Sequence, residues 1–142
     1  MTLLSSIVLT TGMWRAVLLT PGGELPFQLR VDASHNSYTL TVINGEEQML
    51  LDDVTMNGDS VIVRFPVYES ELRLKAIDKT RLEGEFINLT RQTHSHIRMV
   101  AQAGESPRFL LKSKKPVVNV SGRWAVRFSP GFKDSTFAVG MF

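Results

Sequence analysis

The stretch Glu71–Phe86, ELRLKAIDKTRLEGEF, decides the fold. Leu72, Leu74 and Ala76 alternate with Glu71, Arg73 and Lys75, and Leu82, Gly84 and Phe86 alternate with Arg81, Glu83 and Glu85. In an extended strand, residues two apart share a face, so each run has one dry side and one wet side. Asp78-Lys79 between them supplies the turn. The two runs therefore read as a half-buried antiparallel hairpin.

The same period of two extends in both directions. Upstream, runs at 13–20, 25–31, 38–43, 48–56 and 60–65 are separated by Pro21-Gly22-Gly23, Asp32–Asn36, Asn44-Gly45 and Asn57-Gly58-Asp59. The run 60–65 is followed by Pro66, and the run 96–103 is closed by Gly104. Asn44-Gly45 favours a tight hairpin because both residues tolerate positive φ. With 71–77 and 81–89, this makes eight short strands and no helical stripe. Sequential strands joined by tight turns favour an up-and-down meander, and eight is the number at which such a sheet closes around a packed or ligand-sized interior. The expected fold is all-β: an eight-strand antiparallel barrel over 12–104. Its inward face carries Trp14, Ala16 and Leu18, Tyr38, Leu40 and Val42, then Val61, Val63 and Phe65, with Phe27 also placed in the core.

Residues 1–11, MTLLSSIVLTT, read as a leader or an N-terminal strand. The Leu3–Leu9 run is interrupted by Ser5 and Ser6 and has no cation before it, unlike an ordinary secretory signal. No apolar stretch reaches the length that crosses a bilayer as a helix. With 43% apolar and 21% charged residues, the 142-residue chain is composed like a globular domain rather than a disordered one. A net charge of +2 is too small to argue for nucleic acid. The absence of cysteine excludes disulfides, thiolate chemistry and Cys-ligated metal within the chain.

An internal echo interrupts the domain. Gly12-Met13-Trp14 opens the barrel and Gly122-Arg123-Trp124 opens the C-terminal segment; the two Trp residues are 110 positions apart, as are Phe27 and Phe137. Residues 105–119, with Arg108, Lys112, Lys114, Lys115 and Pro116, read as a linker. Residues 120–142 read as the first hairpin of a second, truncated copy of the barrel. Two strands alone are marginal in water, so 122–142 is expected to pair with the first barrel, to self-associate by swapping with a neighbouring chain, or to belong to a longer protein.

No constellation reads as catalytic, cofactor-binding or metal-binding. His94 and His96 share a strand face, but nothing in the sequence places a third ligand near them. The pairs Asp52-Asp53 and Glu46-Glu47 point to opposite faces and make poor acid–base partners. Asp53 with Asn57 and Asp59 does not match the spacing of a calcium loop. Six cations between Arg108 and Arg127, interleaved with Phe109, Trp124 and Phe128, read as a solvated linker and strand face rather than a nucleic-acid surface. The aromatics Trp14, Tyr38, Phe86 and Trp124 are the candidates for core plugs or ligand contacts.

The strings GMWRAVLLTPGGELPFQL, YTLTVINGEE, VRFPVYESELRLK, LEGEFINLTR and SGRWAVRFS resemble the region ahead of the thioredoxin-like domain in exported bacterial thiol-disulfide oxidoreductases of the redoxin (AhpC/TSA) type. This resemblance covers most of residues 12–142. The Gly12-x-Trp14 opening of an eight-strand meander is also similar, in architecture, to the calycins, the lipocalin and avidin-like barrels. The first resemblance implies a periplasmic or otherwise exported setting, a downstream thioredoxin-like domain with a Cys-x-x-Cys pair, and an accessory role for this part. The chain has no cysteine, so no redox residue carries over to it. The resulting expectation is a non-catalytic accessory or interaction barrel, the alternative being a lipocalin-like binder of a small apolar ligand.

Overall fold

A computed structural model describes residues 7–35, 37–90, 92, 95–113 and 115–142. Eleven strands lie among the described residues: β1 (Gly12–Thr20), β2 (Gly23–Ser34), β3 (Ser37–Asn44), β4 (Glu47–Leu51), β5 (Asp53–Asn57), β6 (Ser60–Arg64), β7 (Ser70–Asp78), β8 (Arg81–Asn88), β9 (Ser95–Ala103), β10 (Arg123–Phe128) and β11 (Thr136–Met141). The chain divides into two units, Met1–Leu110 and Leu111–Phe142.

The first unit is a nine-strand antiparallel sheet ordered β4-β3-β2-β1-β9-β8-β7-β6-β5, nearly closed into a barrel. The meander brings β1 and β9 together, with Trp14 opposite Ala103 and Leu18 opposite Met99. The expected strand at 48–56 is divided in two at Asp52. β4 pairs with β3 and β5 pairs with β6, so a single run of chain changes partner at one residue. The Val54 N–H donates to the Asp52 carbonyl at 3.1 Å, which makes the bend. Before the bend Met49 and Leu51 face the core; after it Val54 and Met56 do. The inward parity changes from odd to even, as one extra residue in a strand requires. That break in parity is why this run shows the weakest alternation in the sequence.

The inward face matches the alternation. Trp14, Ala16, Leu40, Val61, Val63, Leu72, Leu74, Ala76 and Leu82 are buried, and Leu18, Phe27, Tyr38, Val42, Phe65 and Phe86 pack against them half-buried. Leu29, Val31, Leu51, Met99 and Ala101 complete the core. Each fully buried Leu or Val contributes about 1.5–3 kcal/mol of transfer free energy. The Asn44-Gly45 signal yields a two-residue loop with Gly45 at φ 65°. Gly84 lies opposite Leu74 on the β7–β8 ladder, where an added Cβ would run into the Arg73 carbonyl and lie 2.8 Å from the Leu74 Cα.

Residues 7–11 belong to no strand. They stopper one end of the barrel. Leu9 is buried and Ile7 packs on the core. The Leu9 N–H donates to the Tyr38 hydroxyl at 3.1 Å, and the Thr10 N–H donates to the Lys79 carbonyl at 2.8 Å. The Trp14 indole N–H closes the arrangement by donating to the Thr10 carbonyl at 2.9 Å. The N–H groups of Leu9 and Thr10 and the Thr10 carbonyl are thereby satisfied by the barrel end that they cover.

The second unit contains the β10–β11 hairpin, joined by residues 129–135 and registered from Arg123–Met141 to Phe128–Thr136. Gly122 exchanges two backbone hydrogen bonds with Phe142, at 2.9 and 3.1 Å.

Candidate functional site

The stoppered end carries the β7–β8 turn and the start of β3. The opposite end carries the turns after β1, β3, β6 and β8, and there the inward side chains leave a space between them. A cavity of about 320 Å3 opens among Leu18, Phe27, Val42, Phe65, Leu72 and Phe86, with Leu25, Asn44 and Arg108 completing its wall. Phe65 and Phe86 form an edge-to-face pair across it, 5.7 Å between centroids at 84°. Three aromatic rings project from three different parts of the wall.

The polar part of the wall is Asn44, at the end of β3, and Arg108, which comes from residues 104–110 running along the outside of the β1–β2 hairpin. The Gly104 N–H donates to the Met13 carbonyl at 2.8 Å, and the Gln28 side-chain amide donates to the Ser106 carbonyl at 3.3 Å. Arg15 Nε donates to the Arg108 carbonyl at 3.2 Å. This strap delivers the Arg108 side chain to the mouth. Its Nε donates to the Pro26 carbonyl at 2.7 Å and one Nη donates to Asn44 Oδ1 at 2.5 Å. Pro26 lies beyond the last β2–β3 pair, Gln28–Ile43, so its carbonyl has no partner in that ladder and the guanidinium takes it.

The four aromatic candidates separate. Trp14 is only 1% exposed and is core. Tyr38 anchors the stopper through its hydroxyl. Phe86 alone of the four lines the mouth. Trp124 lies on the hairpin of the second unit, 48% exposed, beside Val120, Val126 and Phe142 around an open hollow of about 560 Å3. Trp14, 110 positions earlier, is packed into barrel core instead.

The charged candidates disperse. Asp53 pairs with Arg64 at 3.4 Å and Asp59 with Lys75 at 3.2 Å, both on the outer face. His96 Nδ1 lies 2.9 Å from Glu85 Oε2, also outside, and His94 lies outside the described residues. Among the described residues, no three His, Asp or Glu side chains gather to hold a metal ion. Of the basic segment, Arg108 reaches the mouth, Lys112 and Lys115 are exposed, Arg123 and Arg127 belong to the hairpin, and Lys114 lies outside the described residues.

Sequence reasoning missed Arg108 as a site residue because its partners are 82 and 64 positions away. The one available hint is Pro26, which marks a place on β2 where the ladder stops. Comparison with known proteins gave no match: no family model, no curated protein and no solved structure is similar to the chain.

Proposed function

We propose that this chain is a non-catalytic β-barrel binding module whose open mouth receives a small apolar ligand. The observation that carries this reading is the 320 Å3 cavity walled by Leu18, Phe27, Val42, Phe65, Leu72 and Phe86 at one end of a barrel stoppered at the other. Its size falls at the low end of small-molecule sites, which are concave, mostly apolar and marked by a few placed polar groups. The lining supplies hydrocarbon, one amide and one guanidinium, a set suited to holding a molecule rather than to moving protons near neutral pH.

Titration of the 15N-labelled chain with 1-octanol tests the proposal. Saturable shifts confined to the amides of Leu18, Phe27, Val42, Phe65 and Phe86 are expected. No saturable shift up to the solubility of the alcohol overturns it.

A second reading makes the chain the accessory part of an exported, periplasmic thiol-disulfide oxidoreductase with a thioredoxin-like domain downstream. The observation in its favour is the hairpin at 122–142, which repeats the opening of the barrel as a chain built from successive barrel copies would. Reading the gene beyond the Phe142 codon tests it: an open frame into a Cys-x-x-Cys domain supports it, and an immediate stop removes it.

A further inference from the structure

We infer that Arg108 makes the barrel mouth selective for an anionic amphiphile, a short-chain carboxylate whose tail fills the apolar cavity and whose head rests on the guanidinium. This inference rests on reading the mouth as a binding site, and adds the chemical class of the ligand and the residue that selects it.

Three observations converge on it. The first is charge. Arg30, Arg64, Arg73, Arg81 and Arg98 of the barrel each have a carboxylate within 4 Å. Arg15 and Arg108 have none among the described residues, and of the two it is Arg108 that borders the apolar opening of the barrel. A guanidinium has five N–H donors in a planar fork. Two go to Pro26 and Asn44, the Phe109 ring centroid lies 5.1 Å from the guanidinium carbon, and the other N–H groups have no hydrogen-bond partner among the described residues.

The second observation is preorganisation. The strap is tied down through Gln28 and Arg15, and the guanidinium is held on two sides by backbone and amide oxygens. Neither anchor neutralises its charge. An anion arriving there meets a cation already held in position, so little side-chain freedom remains to be lost on binding. Carboxylates are the natural complement of such a fork, since they accept two parallel N–H bonds.

The third is size. At roughly 30 Å3 per water-sized group, 320 Å3 holds about ten non-hydrogen atoms. Octanoate has that size, with a head that reaches the rim when the tail is buried. Its neutral counterpart, 1-octanol, fills the same cavity without an anionic group.

The test compares octanoate with 1-octanol by calorimetry and amide shifts at low salt, on the wild-type chain and on Arg108→Gln. The wild type is expected to prefer octanoate by about tenfold or more, the scale of a charge-assisted hydrogen bond. In R108Q that preference disappears, while saturable octanol shifts at the Phe65 and Phe86 amides show that an apolar cavity is still present. Arg108→Lys, which keeps the charge but not the fork, is expected to keep part of the preference. Equal wild-type affinity for the two ligands, or a preference that survives in R108Q, overturns the inference and leaves the apolar site standing. Failure of both ligands to bind the wild type overturns the reading of the mouth and the inference together.

Discussion

Trp14 and Trp124 make the same hydrogen bond: each indole N–H donates to the backbone carbonyl four residues earlier, Thr10 at 2.9 Å and Val120 at 2.6 Å. Each Trp is also preceded, two residues back, by a glycine at positive φ, Gly12 at 105° and Gly122 at 124°. One local device thus occurs twice, 110 positions apart, in opposite settings: Trp14 is 1% exposed and Trp124 48%. Trp14→Ala is expected to lower barrel stability by about 3–5 kcal/mol, through lost burial and the cavity left behind. Trp124→Ala is expected to leave barrel unfolding within about 0.5 kcal/mol of wild type. Urea denaturation followed on a barrel amide checks both.

The Gly84–Leu74 pair leaves no space for a side chain on β8. An alanine Cβ there meets backbone atoms of Arg73 and Leu74 rather than a flexible side-chain end, so relief requires prising β7 from β8. Gly84→Ala is expected to cost about 1–3 kcal/mol, the usual scale of overpacking, despite the better strand propensity of alanine over glycine. Equilibrium unfolding in urea measures this, and an unchanged midpoint contradicts the clash.

Asp78 closes the β7–β8 turn. Its Oδ1 accepts the Thr80 hydroxyl at 2.7 Å and the Thr80 backbone N–H at 2.6 Å. These bonds, the hydroxyl's first and the amide's next, hold the carboxyl below its ordinary value of 3.8. A carboxyl depressed on folding adds stability that is full above the unfolded value and is lost as pH falls through the folded one. Stability is therefore expected to drop as pH falls below 3.8, and Asp78→Asn is expected to flatten that part of the profile. Melting temperatures between about pH 5 and pH 2 check the sign.

The hairpin exposes Phe137 (76%), Val139, Met141 and Phe142 (74%) on only two strands. Isolated two-stranded sheets are marginal in water, and contiguous exposed apolar patches mark association sites. The full chain is expected to self-associate through 122–142. The double variant Phe137→Glu, Val139→Glu is expected to sediment as a monomer with its barrel signals unchanged. A wild-type chain that is already monomeric at high concentration contradicts this expectation.

Much of the architecture is legible in local pattern. Leu72, Leu74 and Ala76 against Leu82, Gly84 and Phe86 define a hairpin and its inner face without reference to distant residues, because strand geometry has a period of two. The turn at Gly45 is legible for a similar reason, since its positive φ is a property of one residue. The candidate site was far less legible. Phe86 was visible as an inward aromatic, but nothing near it in the chain indicates that it lines an opening whereas Trp14 fills a core.

The sequence by itself therefore determined the barrel strands other than the divided 48–56 run, the inward faces carrying Trp14, Leu40, Val61, Leu72 and Leu82, most of the turns and the second Gly-x-Trp opening, since each depends on residues within a few positions of one another. Only the tertiary structure decided that Asp52 bends one run between two partners, that residues 7–11 stopper one end, and that Arg108 stands at the rim of the other. Those outcomes follow from barrel closure, which sets side by side groups that are 29 to 82 positions apart in the chain, and no local periodicity encodes such pairings.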